Sequence, residues 1–362
     1  FINGAVYFQR RFFANLIKTS PAYEKRLVSP ASDDTVAKER AMLSNNIAVM
    51  KEKGGRSAEI RLRSSLWIKK EFEQIGRPVR VYLPIPGDGR QVRDFTLIQT
   101  RPEASFVAPR SSPQRTVCFE TVLKGDDVFS VEYTYTNHVD YVKADPALAR
   151  DFVPGQAARS CLGEQLPHIR FTPYLRFLLE EITGGETHPL LKARRIYDFI
   201  TTRVMYSYVR EYAAIENISE YAAVNLKGDC GVQAILFITL CRMAGIPAKW
   251  QSGLAVSKYY TGCHDWAEFY VEPWGWIFVD PSYGGSAWRR GESERWNYYF
   301  CNLDIYRMPA NSAILEDFNP AKKHARSDPV DSQVGEMEYD DRGIPAYGFE
   351  TRQELLSITE TP

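Results

Sequence analysis

Hydrophobic positions recur at two periods along this chain, and the changes of period divide it. Near the start, Val6, Phe8, Phe12, Phe13, Leu16 and Ile17 form an apolar stripe that Ser20-Pro21 ends, which predicts a helix. A second helix is predicted from Ser32 to Lys53, opened by Asp33 and Asp34 and closed by Gly54-Gly55. From Arg56 to about Tyr141 the period switches to two. Ala58-Ile60-Leu62, Val79-Val81-Leu83, Phe95-Leu97, Val117-Phe119-Thr121 and Phe129-Val131-Tyr133-Tyr135 alternate with polar neighbours. Turn signals at Pro86-Gly87-Asp88-Gly89 and Lys124-Gly125-Asp126-Asp127 separate these runs, as in an antiparallel β-sandwich. A linker from Asp151 to His188 carries one predicted amphipathic helix, Pro173–Ile182, and a second helix is predicted over Leu190–Arg203. The second carries Leu191, Ile196, Phe199 and Ile200 on one face.

The densest apolar run is K-G-D-C-G-V-Q-A-I-L-F-I-T-L-C-R-M-A-G-I-P-A-K-W, Lys227 to Trp250. Val232, Ile235, Leu236, Ile238, Leu240 and Met243 leave no wide polar face, so this helix should be buried, with Gly245 and Pro247 stopping it. Cys230 then stands at the mouth of a buried helix, where unpaired amides and the helix dipole favour a thiolate. Asp229 works against that charge but would steady the turn as an N-cap. Taken alone, Cys230 fits a structural buried cysteine as well as a nucleophile.

The run G-C-H-D-W-A-E-F-Y-V-E-P-W-G-W-I-F-V-D-P-S, Gly262 to Ser282, changes the balance. It reads as a hairpin turning at Pro273–Gly275. That register sets His264 opposite about Ser282 and brings Asp280 diagonally beside it. A histidine with a carboxylate partner lacks only a nucleophile, and Cys230 is the best candidate. Trp266, two residues beyond His264 on the same strand face, is either a wall of the thiol pocket or a core indole.

Together, G-D-C-G-x-x-A, L-x-R-x-A-G-I-P-A, H-D-W-A-E and G-W-I-F-V-D-P-S resemble the transglutaminase-like superfamily, from about Leu190 to Tyr283. The resemblance implies an α+β, papain-like core: a buried helix carrying the cysteine, packed on an antiparallel sheet carrying the histidine and aspartate. A preceding β-sandwich is common among such proteins. It also implies a catalytic triad of Cys230, His264 and Asp280. In relatives an aromatic or amide side chain upstream of the cysteine helps hold the developing oxyanion, a role open to Tyr206 or Tyr208; packing beneath the site is the alternative.

Composition adds limits. The 45 basic residues equal the 45 acidic ones, so nothing suggests a nucleic-acid or membrane-surface partner. No apolar run approaches the ~20 residues of a membrane span. The chain begins at Phe1 without a methionine, which leaves room for an upstream segment, a signal peptide included. The six cysteines form neither a disulfide framework nor a metal-like C-x-x-C pair, and Cys263 reads as a small packing residue. No metal or cofactor is called for. His138, His168 and His188 receive no role. The aromatics Trp288, Trp296, Tyr298, Tyr299 and Phe300 suggest a layer over the core or a wall of a substrate groove.

The expected organisation is a helical segment over 1–55, a sandwich over 56–150, the core over 151–315, and an extension over 316–362 that drapes over the surface. The N-terminal helices either pack on their own protein or serve as a dimer arm or lid. The expected chemistry is attack by Cys230 on an amide carbonyl of a peptide or protein, giving a thioester. Water would resolve it in a peptidase or amidase, and a lysine amine in a transglutaminase; a binding protein on the same fold is the third possibility. The animal cross-linking enzymes that this core resembles are calcium-dependent, and no calcium-loop pattern of the type D-x-[DN]-x-[DN]-G occurs here, so the resemblance favours hydrolysis.

Overall fold

The structure, a computed structural model, describes the chain apart from residues 1–4, 7, 9–10, 25, 27–32, 151–154 and 362. It starts with α1 (Phe12–Thr19), α2 (Pro21–Glu24) and α3 (Asp33–Lys53). The stripe expected from Val6 becomes helix only at Phe12, and no residue of α1 is buried. The expected start of the next helix at Ser32 lies outside the described residues. Leu43, Ile47 and Met50, one face of α3, enter the core, while Arg40 and Lys51 pair with Glu292 and Glu294. α3 therefore packs on its own chain.

β1 (Gly55–Ile68), β2 (Pro78–Pro84), β3 (Val92–Arg101), β4 (Phe106–Val107), β5 (Thr116–Val122) and β6 (Val128–Asp140) follow. Their period-two pattern works as expected: Ala58, Ile60 and Leu62 are fully buried. The β5–β6 turn uses Gly125 and Asp126 at φ of 100° and 57°, in the left-handed region that glycine and aspartate tolerate.

The next part holds α4 (Gln156–Arg159), α5 (Pro173–Thr183), α6 (Pro189–Arg203), β7 (Met205–Tyr206), α7 (Ile218–Asn225), β8 (Lys227–Gly228) and α8 (Cys230–Met243). The linker expected from Asp151 begins outside the described residues. In α6 the inward face is Leu190, Ala193, Ile196, Tyr197 and Ile200, so Leu191 and Phe199 sit at its margins rather than its centre. α8 is buried from Cys230 to Arg242, as its all-round apolar sequence requires.

β9 (Ala248–Val256), β10 (Thr261–Val271), β11 (Gly275–Val279), α9 (Pro281–Arg289), α10 (Ser293–Tyr298), β12 (Phe300–Cys301) and β13 (Arg307–Asn311) complete this part. Its antiparallel sheet has the order β12-β11-β10-β9-β13. Ala267 pairs with Val279, which continues to His264 opposite Ser282, the register expected from the hairpin. The faces of β10 divide cleanly. Ala267, Phe269 and Val271 pack with α8, whereas Trp266 joins the core shared with the sandwich.

The C-terminal segment does not drape over the surface. It supplies β14 (Glu336–Tyr339) and β15 (Phe349–Thr361), giving sandwich sheets of order β15-β1-β6-β3 and β14-β2-β5-β4. Of the acidic residues in this stretch, two are satisfied inside and two stay outside: Glu336 pairs with Lys322 and Arg326 and Glu338 accepts from the amides of Lys323 and His324, while Asp340 and Asp341 are exposed. Phe349 is buried, while Tyr347 stays exposed. Among the described residues no helix is long and apolar enough to cross a membrane.

Candidate active site

Cys230 opens α8, and Asp229 caps it by accepting from the Val232 amide at 3.3 Å. The same carboxylate accepts from the Tyr212 hydroxyl at 2.6 Å, tying the cap to the loop after β7. Two glycines make this corner possible. A Cβ on Gly228 would lie 2.2 Å from Val232 Cγ1, and one on Gly231 would lie 2.3 Å from the Tyr212 hydroxyl and 2.9 Å from Asp265 Oδ2. The G-D-C-G spelling is therefore steric as well as chemical.

Around the thiol is a cavity of about 920 Å³, lined among others by Tyr206, Tyr208, Tyr212, Asp265, Asp331 and Gln333. Cys230 is 8% exposed. Its Sγ donates to Asp265 Oδ2 at 3.1 Å, and the Tyr206 phenol interacts with the same sulfur. The Gln333 amide holds the other oxygen of Asp265. Burial, then the charges of Asp265 and Asp229, push the Cys230 thiol well above its ordinary range. The helix-mouth position therefore does not yield the expected thiolate here, because desolvation and two neighbouring carboxylates outweigh the dipole. Burial and the neighbouring Asp331 likewise push Asp265 well up.

On the other face of β10, the His264 ring is 5% exposed and its Nε2 lies 2.7 Å from Asp280 Oδ2. Asp280 is fully buried, and its two oxygens have separate tasks. Oδ1 caps α9 through the Tyr283 amide at 2.9 Å, while Oδ2 takes His264 and, at 3.1 Å, Arg307. Burial alone would raise the Asp280 carboxyl, but the His264 and Arg307 charges and the hydrogen bonds outweigh it and hold it below its usual range. Burial pushes the His264 imidazole down; Asp280 opposes this and Arg307 adds to it. The ring is thus neutral near pH 7. With Nε2–H given to Asp280, Nδ1 is its acceptor. The ring packs against Tyr283, centroids 4.4 Å apart, and stacks on Trp266 at 6.0 Å.

The sequence-derived candidates thus fall into two groups. His264 and Asp280 meet as the register implied. Cys230 shares its cavity with Tyr206 and Tyr208, but its hydrogen bond goes to Asp265, the residue after His264, and neither His264 nor Asp280 lines that cavity. Trp266 does not line it either: it is fully buried and donates from Nε1 to Gln251 Oε1 at 2.6 Å, a core indole. Cys263 departs from its expected packing role, since it is exposed on the cavity wall. Tyr298, Tyr299 and Phe300 are buried, and none of the five clustered aromatics lines the thiol cavity. Sequence reasoning missed Arg307, Asp304 and Asp331, which come from segments far from any motif. Asp265 was legible, because strand alternation turns it away from His264 toward whatever the opposite face holds.

Residues 176–281 match the transglutaminase-like superfamily. The chain carries a transglutaminase-like domain. No curated protein sequence matches the chain. Among solved structures it is similar to one described as a "Putative Cysteine Protease from Cytophaga hutchinsonii", at 16% identity and a TM-score of 0.51, covering 84% of this chain and 91% of that one. That likeness shows a shared fold extending well beyond the domain. The periplasmic domain of TgpA from Pseudomonas aeruginosa also matches, at 15% identity and a TM-score of 0.36, over 69% of this chain and 95% of that one. The transglutaminase-like domain thus spans α6, α8 and the β10–β11 hairpin, the elements that carry Cys230, His264 and Asp280.

Proposed function

We propose that this protein is a cysteine-dependent acyl-transfer enzyme that cleaves amide bonds of peptides or proteins through a thioester. Cys230 Sγ attacks the carbonyl carbon as its proton passes to His264 Nδ1. The collapsing tetrahedral intermediate breaks the C–N bond, and His264 returns the proton to the leaving amine. Water then attacks the thioester with His264 as base, releasing a carboxylic acid and restoring the thiol. Asp280 keeps Nε2–H in place and stabilises the imidazolium. The Cys230 amide and Tyr206 are the candidates for holding the oxyanion, since Tyr206 already interacts with the sulfur.

The observation that carries this reading is the arrangement along β10. His264 holds a buried aspartate at 2.7 Å, and the next residue, Asp265, bonds the Cys230 thiol. Consecutive Cα atoms are ~3.8 Å apart, so the nucleophile and the histidine flank one stretch of backbone. Attack requires the Sγ–Asp265 bond to open so that the sulfur can turn toward the imidazole. The arrangement described is therefore a resting one.

Incubation with a peptide library, with and without an added primary amine, followed by mass spectrometry, tests the proposal. Hydrolysed products that disappear with Cys230→Ala support it. Amine-linked products would replace hydrolysis by transamidation, and no Cys230-dependent product of either kind would overturn it.

A further inference from the structure

The loop that follows β7 presents Tyr206 and Tyr208 at the edge of the thiol cavity, and α1 is seated on that edge. Asn15 reads the backbone of Tyr208 at both ends: its Nδ2 donates to the Tyr208 carbonyl and its Oδ1 accepts from the Tyr208 amide, each at 2.8 Å. The Lys18 ammonium lies over both rings, 4.8 Å from the centroid of Tyr206 and 5.2 Å from that of Tyr208. The Arg11 guanidinium lies 5.2 Å from the centroid of Tyr208 and lines the cavity itself. One short helix thus delivers two cations and one amide side chain to the entrance of the thiol.

The cavity behind this edge suits cations. Asp229, Asp265, Asp328 and Asp331 line it. Ser332, 4% exposed and also on its wall, has a hydroxyl with no partner among the described residues. α1, by contrast, is held without a buried residue, and its Phe12 and Phe13 remain exposed. A segment anchored chiefly through hydrogen bonds and ring-stacked cations, with Leu16 and Ile17 only half-buried, is held by little apolar packing and can come off.

We propose that the Tyr206–Tyr208 edge is a recognition site for a cationic peptide segment on its way to Cys230, and that α1 occupies it in the resting molecule as a tethered competitor. Asn15 imitates the amide contacts of a peptide, and Lys18 and Arg11 imitate basic side chains near the bond to be attacked. The substrate half of this inference rests on the acyl-transfer reading; the occupancy half stands without it.

The test uses full-length protein carrying Asn15→Ala with Lys18→Glu, substitutions on a helix with no fully buried residue. Iodoacetamide labelling of Cys230 is followed by peptide mapping, with Cys161 as the reference thiol. The expected result is a Cys230 rate raised roughly tenfold relative to Cys161, since the thiol loses its cover. A synthetic peptide of residues 11–20 added to the variant should bring the rate back down, whereas the same peptide with Lys18→Glu should not. An unchanged labelling rate in a variant with native circular dichroism overturns the occupancy. Equal protection by both peptides overturns recognition of the cation. Lysine and arginine should also be enriched beside the cleaved bonds in the peptide library, and neutral or acidic cleavage sites would overturn the substrate half. Complete absence of turnover would sink the acyl-transfer reading while leaving the labelling result intact, because alkylation requires no catalysis.

Discussion

Arg307 is the side chain on which the His264–Asp280 pair depends most and that no motif announces. It is fully buried, 3.1 Å from Asp280 Oδ2 and 2.6 Å from Asp304 Oδ2, with its guanidinium 4.4 Å from the centroid of Tyr283. Arg307→Met keeps most of the length and removes the charge, leaving two buried carboxylates without their shared cation. Breaking such a pair from one side costs ~3–5 kcal/mol. At ~2.1 cal/mol/K per residue, 362 residues melting together have an unfolding entropy of ~0.76 kcal/mol/K, so Tm should fall by ~4–7 °C. Adding Asp304→Asn should recover part of the loss, since one of the two stranded charges is gone. The pH dependence supplies a second readout. In the wild type, burial and Arg307 hold His264 below its ordinary range, so the unfolded chain takes up the extra proton. Stability is therefore lost as pH falls through the unfolded imidazole value of ~6.5. Removing Arg307 lifts the folded imidazole, and that acid-side loss should shrink. The cavity acids titrate in both proteins and cancel in the difference. Melts by circular dichroism from about pH 5.5 to 7.5 decide the matter. A Tm within about 1 °C of wild type at neutral pH, corresponding to under ~1 kcal/mol, would refute the reasoning.

Asp280→Asn should leave the fold intact, because Arg307 keeps Asp304, and should reduce turnover by roughly 10- to 10⁴-fold; native circular dichroism with unchanged kcat/KM would show that Asp280 only caps α9. On the alkaline side of its raised range, where Asp265 is ionised, Asp265→Asn removes a charge that raises the Cys230 thiol and should speed its alkylation by roughly three- to tenfold relative to Cys161, read by peptide mapping; an equal or slower rate there would mean that the carboxylate does not hold the thiol. In the unmodified protein the exposed Cys263, although desolvation and the nearby Asp265 push its thiol up to about 12, should label before the 8%-exposed Cys230, whose thiol is also pushed well up; the reverse order would show a reactive thiolate at rest. Trp266→Phe should lower the urea midpoint by the equivalent of ~1–3 kcal/mol while leaving kcat/KM of the folded fraction unchanged, since a fully buried indole outside the cavity lining loses its bond to Gln251 while the replacement ring can still pack on His264; normal stability with an altered KM would place it on the substrate path after all.

Much of this architecture was legible because its local rules are strict. The alternation in β1, β2, β5 and β6 could be satisfied only by sheets with one face inward, and the apolar run after Cys230 only by a buried helix. The hairpin register fixed the meeting of His264 with Asp280 before any tertiary contact was known. What stayed hidden is non-local. Nothing near Arg307 says that β13 will carry its guanidinium under Asp280. Nothing in the acidic C-terminal stretch says that Lys322 and Arg326 will neutralise Glu336 inside a sheet. Charge patterns read as solvated surface by default, and that default fails where the partners come from another part of the chain.

The resting arrangement of the site turns on one step of parity. A triad inferred from residue order sets the histidine toward the cysteine, but successive side chains of a strand leave by opposite faces. Ala267, Phe269 and Val271 pack with α8, so Asp265 shares their direction and reaches the mouth of that helix, while His264 shares the direction of Trp266 and turns to Asp280. A carboxylate in that position raises the thiol further, and a raised thiol is a poor nucleophile. Discharge of Asp265 by protonation removes one source of the raised pKa, and a substrate cation paired with Asp265 would also compete for the oxygen that accepts from the thiol. An acidic cavity wall is on this argument no obstacle to cysteine chemistry. On the proposed reading it would couple release of the thiol to arrival of a positively charged ligand, the charge that Lys18 and Arg11 already bring to its entrance.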